Sequence, residues 1–125
     1  MKKIKDRYQA ETAFCDLFVS AGRRLGVPAF GEPECEGSEQ ELSATTIAVI
    51  HECEFYDPHF IGGPCKFNFA KSHEDVERIF LRAEPTAAEL SLALEKKHPE
   101  HAQKFRTRLD SLKSWLHDNV DKWAA

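Results

Sequence analysis

The sequence predicts an α+β domain that is mostly helical, with the element order α-β-β-α-α-α and one antiparallel β-hairpin packed on a small helical bundle. Apolar residues recur every three or four positions towards both ends of the chain, as in helices, and alternate with polar residues between positions 44 and 70, as in strands. A chain of 125 residues with 42% hydrophobic content suits one domain with one core, so residues 1–125 are predicted to fold together.

The first helix is predicted over about residues 2–25. Gly26 supplies a stop signal, and Pro28 follows two positions later. Arg23 and Arg24 then fall in the last turn, where cations suit the negative end of the helix dipole. The apolar residues of this helix lie near one stripe, namely Ile4, Tyr8, Cys15, Phe18 and Leu25.

An acidic loop is predicted over about residues 29–43, where glycine, proline and serine interrupt five glutamates. It belongs to a longer stretch, residues 25–65, that holds eight acidic residues and no lysine or arginine. The rest of the chain carries all 17 Lys+Arg and 13 Asp+Glu. Such asymmetry predicts which charges a surface attracts rather than which reaction it performs. A solvated mobile loop explains the glutamates equally well, so both interpretations stay open.

The β-hairpin is predicted over about residues 44–71, with strands at 44–56 and 65–70. Both strands alternate in polarity, and residues 57–64 between them are rich in glycine and proline, which is typical of a turn. The pattern leaves the strand register open, because a shift of one residue on each strand keeps the alternation. Two strands are not stable alone, so the hairpin is expected to pack on the helices.

The C-terminal helices are predicted over about residues 73–123. Ser72 begins a capping box, Pro85 is expected to end the helix that follows, and Thr86 to cap the next one. Pro99 suits the first position of the last helix. That helix has the clearest apolar stripe in the chain, formed by Ala102, Phe105, Leu109, Leu112, Leu116, Val120 and Trp123.

A zinc site is the sharpest chemical hypothesis from the residue types. Cysteine and histidine are preferred zinc ligands, and a strand over 44–56 would place His51 and Cys53 on one face. The spacings match no zinc-finger pattern, and buried cysteines also act as small hydrophobic residues, so core cysteines are the favoured interpretation. The candidate ligands are His51, Cys53, His59 and Cys65.

The leading functional hypothesis is a non-enzymatic protein that inhibits or neutralises a basic, nucleic-acid-binding partner, as antitoxins, immunity proteins and phage antagonists do. It rests on the charge segregation and on the lack of a recognisable catalytic motif, so no catalytic residue and no cofactor are assigned. The acidic loop and the hairpin tip would form the interface, through Glu32, Glu34, Glu36, Glu39, Glu41, Glu52, Glu54, Asp57, Phe60 and Ile61.

Two alternatives from other classes stay open. One is a small zinc protein or metal-dependent enzyme built on the cysteine and histidine residues of the hairpin. The other is a subunit of a nucleoprotein assembly that uses basic helix faces, although a net charge of −4 disfavours direct nucleic-acid binding. The apolar runs are too short to cross a bilayer and the N-terminus lacks a signal-peptide pattern, so a cytoplasmic protein is expected.

Overall fold

Four helices account for the fold of the described chain. The structure, a computed structural model, describes residue 4 and residues 6–27, 42–54 and 70–123. Within them, 88% of residues are helical and none lies in a strand. The helices are α1 (Arg7–Arg24), α2 (Ala44–Glu54), α3 (His73–Lys97) and α4 (Pro99–Trp123). The predicted α+β class and its β-hairpin are therefore wrong.

Helix α1 begins later than predicted because Asp6 caps it. The Asp6 side chain accepts a hydrogen bond from the backbone N–H of Gln9 at 2.8 Å, which satisfies one of the donors that a helix start leaves unpaired. The helix ends at Arg24, and Gly26 follows with φ of +84°, a conformation that suits glycine. The predicted end is therefore confirmed.

Helix α2 replaces the first predicted strand. The segment is rich in β-branched residues, which favour strands, but its buried side chains are Thr46, Ile50 and Cys53, spaced as on one helix face. Ile50 packs against α1 at Gly22, where a Cβ atom would meet its side-chain carbons at 3.0 Å. This close helix contact overrides the local preference. The second predicted strand, apart from Ala70, lies outside the described residues.

Helix α3 begins where predicted but continues through the predicted break. Ser72 caps it, because its hydroxyl accepts from the backbone N–H of Asp75 at 3.2 Å. Pro85 lies inside the helix and removes one hydrogen bond, the one that the Leu81 carbonyl would accept. That carbonyl belongs to a residue that is 74% exposed, so water can satisfy it. Buried Phe80 and Leu90 hold the two halves on the core.

Helices α1, α3 and α4 form a bundle in which α3 and α4 are antiparallel. Ring pairs join α1 to both others: the Phe14 and Phe80 centroids are 5.7 Å apart and those of Phe18 and Phe105 are 5.6 Å apart, both edge to face. The predicted stripe of α4 is confirmed from Ala102 to Val120, because all six of these apolar residues are buried. Among the described helices, none is long and apolar enough to cross a membrane.

Candidate functional site

The structure describes two of the ten residues predicted to bind a partner, Glu52 and Glu54 on α2. On a strand they would share one exposed side, but on a helix residues two apart point about 200° away from each other. Glu52 is exposed, whereas the Glu54 side chain is 10% exposed and forms an ion pair with Arg23 of α1 at 3.4 Å. Glu54 is thus neutralised within the molecule. Outside the described residues lie Glu32, Glu34, Glu36, Glu39, Glu41, Asp57, Phe60 and Ile61.

The strand-based reason for a zinc site no longer applies. His51 and Cys53 lie on α2, about 200° apart around the helix, and the Cys53 thiol is reduced and buried with the core. His59 and Cys65 lie outside the described residues. In the part of the chain that the structure describes, no group of three or more histidine, cysteine or acidic side chains is arranged to hold a metal ion.

The predicted acidic loop ends at Ser43, and this residue, which precedes α2, is attached to α3. Ser43 caps α2, since its hydroxyl accepts from the backbone N–H of Thr46 at 3.2 Å. Glu89 of α3 then accepts from the Ser43 backbone N–H, from the Ser43 hydroxyl at 2.9 Å and from the Thr46 hydroxyl at 2.7 Å. In a capping box, a glutamate of the same helix accepts the hydrogen bond from that backbone N–H. Here the accepting glutamate belongs to a neighbouring helix.

Glu89 is ionised in this arrangement. Burial raises the pKa of its carboxyl group, but the hydrogen bonds from the Ser43 backbone, the Thr46 hydroxyl and the Ser43 hydroxyl outweigh burial and leave the pKa below its ordinary value. Sequence reasoning missed this contact. Ser43 ahead of a helix would have been a cap signal, but its partner lies 46 residues away in the chain.

An apolar stripe runs along the outside of α3 beside this contact, with three exposed residues and one half-buried residue, Ala88. Leu81 is 74% exposed and Leu92 is 61% exposed. Pro85 and Ala88 lie between them, so the spacing of four, three and four residues places all four on one face. We call Leu81, Pro85, Ala88 and Leu92 the outer stripe. Glu89 lies at its edge, which places the Ser43 attachment next to the stripe.

A chain of polar side chains links the start of α3 to the end of α4. Nδ1 of His73 lies 3.0 Å from Nδ1 of His117, and Nε2 of His117 lies 2.9 Å from a carboxylate oxygen of Glu77. The other Glu77 oxygen lies 3.0 Å from Nζ of Lys113, and Nε2 of His73 lies 3.7 Å from Asp121. We call these five residues the histidine end.

The donor directions at the histidine end follow from Glu77. The hydrogen bond from Lys113, and then the one from His117, hold the pKa of the Glu77 carboxyl below its ordinary value, so it accepts only. His117 therefore donates from Nε2 and, when neutral, accepts at Nδ1. His73 must donate from its own Nδ1, so the two rings are in opposite tautomers. Nε2 of His73 is left facing Asp121.

The ring geometry shows that a proton, rather than a metal ion, joins the two histidines. The ring planes differ by 12° and the ring centres are 5.2 Å apart. The two Nδ1 atoms are 3.0 Å apart, and this distance together with the radius of each ring accounts for the whole separation of the ring centres. Both nitrogens therefore lie almost on the line between the ring centres, and the rings meet edge to edge. The lone pairs point at each other, whereas two ligands of one metal ion must converge on a third point.

At the opposite end of the bundle, basic side chains from α1 and α4 meet. Nη1 of Arg24 lies 3.0 Å from Nε2 of His101, and the His98 and His101 ring centres are 5.9 Å apart. Lys104 lies near enough to lower the pKa of His101. A carboxylate oxygen of Glu100 lies 3.7 Å from Nε2 of His101. We call Arg24, His98, His101 and Lys104 the basic end.

Elsewhere on α4, two basic side chains are paired with acids of α3. Arg106 forms two hydrogen bonds with Glu84, at 3.2 and 3.0 Å, and Lys113 pairs with Glu77. These two basic residues are therefore less available to a phosphate backbone than the sequence suggests.

Comparison with family models, curated proteins and solved structures finds no match to this chain.

Proposed function

We propose that this protein is a non-enzymatic interaction module that binds a basic protein partner through two adjoining features, the outer stripe of α3 and the acidic stretch, whose predicted loop (residues 29–43) ends at Ser43. The observation that carries the proposal is the Ser43–Glu89 contact, because it attaches the end of that stretch to α3 beside two exposed leucines. Apolar side chains can supply affinity for a partner, and carboxylates beside them can select for a basic one.

The outer stripe supplies the affinity in this proposal. A helix that binds in a groove uses apolar residues one and two turns apart, and the stripe has that spacing over about 16 Å. Leu81 and Leu92 present most of their surface to solvent, so covering them releases water that the isolated bundle leaves in place. The partner would thus present an apolar groove.

The acidic stretch supplies the selectivity. Carboxylates around an apolar contact accelerate encounter with a positively charged surface and disfavour acidic proteins. Residues 25–65 contain no lysine or arginine to cancel them. One carboxylate of the stretch, Glu54, is already neutralised by Arg23, so the proposal relies on those before Ser43 and on exposed Glu52.

Differential capture from a native extract tests the apolar part. The double variant Leu81→Ser, Leu92→Ser changes only exposed positions, so its stability should stay within about 1 kcal/mol of the original. We expect a basic protein that the original chain captures to be lost by this variant. Binding is then measured with that purified protein, and a loss of about tenfold or more in affinity is expected. Equal affinity would contradict a role for the stripe.

Charge reversal tests the acidic part. Glu39→Lys with Glu41→Lys should slow association with the purified partner about tenfold at low salt and much less at high salt. The matched control is Asp16→Lys with Asp110→Lys, two exposed acids on α1 and α4, which carry neither the outer stripe nor the acidic stretch. If both charge reversals had the same effect, only the net charge of the protein would matter, and the proposed interface would be wrong.

A further inference from the structure

In the part of the chain that the structure describes, the basic end presents positive charge with little to neutralise it. Arg24 has an imidazole for its partner, and within the described residues no acidic side chain lies within ion-pair distance of it. In the same part of the chain, Glu100 is the one acid near His101, and Lys97 directly precedes His98. Surface cations are usually interspersed with acids, so a cluster of this kind is suited to an anion.

The Arg24–His101 contact has a defined proton arrangement. A guanidinium group is always protonated and can only donate, so Nε2 of His101 must be the acceptor and the ring is neutral. The pKa of His101 is lowered first by burial and then by Arg24. Lys104 and His98 lower it further, and Glu100 alone raises it. Neutral His101 thus adds no positive charge of its own beside Arg24 and Lys104.

We propose that the basic end is a binding site for a phosphate group, and that His101 takes up a proton when the site is filled. The anion reverses the local field, so His101 binds a proton from solvent at Nε2 and becomes a donor. The bond from Arg24 to Nε2 is then exchanged for charge-assisted bonds from Arg24 and His101 to phosphate oxygens, which are stronger. Lys104 adds a third positive group.

Phosphate suits this site better than a carboxylate. The planar guanidinium of Arg24 can donate two parallel hydrogen bonds to it, and a phosphate has oxygens left for His101 and Lys104. Helix α4 begins at Pro99, but α1 and α3 end at Arg24 and Lys97, so the helix dipoles add no net positive charge here and the side chains alone would hold the phosphate. The phosphate could belong to a small phosphomonoester or to a nucleic-acid backbone, and the experiment below separates these sources.

NMR titration of the His101 imidazole tests the proposal, with inorganic phosphate and with an oligothymidylate as separate probes. We expect saturable binding that raises the pKa of His101 by about one unit and strengthens several-fold, by at most about tenfold, as the pH falls from about 8 to about 6. If inorganic phosphate produces this result, the ligand is a discrete phosphate. If only the oligonucleotide does so, with steep salt dependence, the ligand is a nucleic-acid backbone. No change in His101 with either probe would overturn the proposal.

Charge-matched variants locate the site. Arg24→Gln and Lys104→Gln should each weaken binding about tenfold. Arg82→Gln, on the exposed surface of α3, removes the same charge elsewhere and should change the affinity less than twofold. His101→Gln should still bind at high pH but lose the pH dependence. Equal losses in Arg24→Gln and Arg82→Gln would show a general charge effect and refute a built site.

Discussion

Replacing Glu89 with alanine should destabilise this protein far more than the same change at Glu84, five residues earlier on α3. Glu89 is the acceptor that Ser43 and Thr46 share at the start of α2. Alanine would leave the Ser43 N–H at the helix start without its acceptor and leave the hydroxyl of Thr46, which is 1% exposed, without an ionised partner. Glu84 forms an ion pair with Arg106 at the surface, and solvent screening keeps such a pair weak.

The expected difference between the two variants in the free energy of unfolding can be estimated from these contacts. Losing the capping acceptor costs about 0.5–2 kcal/mol, and a buried hydroxyl deprived of its charged partner costs about 1–3 kcal/mol. Because the two effects share one carboxylate, we expect about 2–3 kcal/mol for Glu89→Ala. Glu84→Ala should cost less than about 1 kcal/mol. Both changes put alanine in the same helix, so the gain in helix propensity cancels in the comparison.

Urea denaturation followed by circular dichroism near neutral pH measures both values. A gap of about 2 kcal/mol between the variants corresponds to roughly 8 °C in Tm for a chain of this size. If the two variants agreed within about 0.5 kcal/mol, Glu89 would not hold α2 in solution, and the attachment of the acidic stretch to α3 would be refuted.

The same contact predicts a pH dependence. The pKa of Glu89 is lower in the folded chain than its ordinary value of 4.5, so the folded state favours the ionised form. Its contribution to stability is complete above about pH 5 and is lost as the pH falls through the lowered folded pKa. Glu89→Gln removes this contribution, so its difference from the original protein should shrink as the pH falls below 4.5. A constant difference would contradict the assignment.

Three further predictions follow from the helix contacts. Gly22→Ala should cost about 1 kcal/mol, because crowding against Ile50 exceeds the gain in helix propensity. In denaturation experiments the same change should cost less when it is made in the Ile50→Val variant, which lacks one of the crowded carbons. An equal cost in both backgrounds would contradict the packing. Pro85→Ala should stabilise α3 by about 1–3 kcal/mol by restoring a backbone donor in a helix interior; a loss would mean that the proline shapes the bundle. Imidazole ¹⁵N shifts near pH 8 should show His117 protonated at Nε2 and His73 at Nδ1, and the reverse assignment would refute the donor directions.

The helices that could be predicted from the sequence are those whose apolar stripes are long. In α4 the stripe persists over the whole helix, so local and tertiary preferences agree. In α2 they conflict. Ile47, Val49 and Ile50 favour a strand locally, but α2 is only 11 residues long and its conformation depends on contacts with Gly22 and Glu89, which are distant in sequence. The helix end predicted at Pro85 was wrong for a related reason. The free-energy cost of a proline inside a helix depends on whether the carbonyl that loses its hydrogen bond can reach water.

The candidate sites were less predictable than the fold because they depend on which helix ends meet. The histidine end joins residues 73 and 117, and the basic end joins residues 24 and 101, and neither pair forms a local motif. Patterns within one element can indicate a face, such as the outer stripe, but not its neighbours. The acidic stretch could be recognised from composition alone, but the neutralisation of Glu54 by Arg23 could not.

The distribution of ion pairs explains why a chain with a net charge of −4 can still have a positive end. Where α3 and α4 run side by side, Glu77 and Glu84 neutralise the basic residues of α4 that face them. At the junction of α1 with α4, Arg24 meets an imidazole instead of a carboxylate. Within the described residues, Arg24 therefore keeps a positive charge that no carboxylate pairs with, while residues 25–65 hold carboxylates without any lysine or arginine of their own. Raising the salt concentration should accordingly weaken both proposed interactions, because each depends on charge that the described ion pairs leave uncompensated.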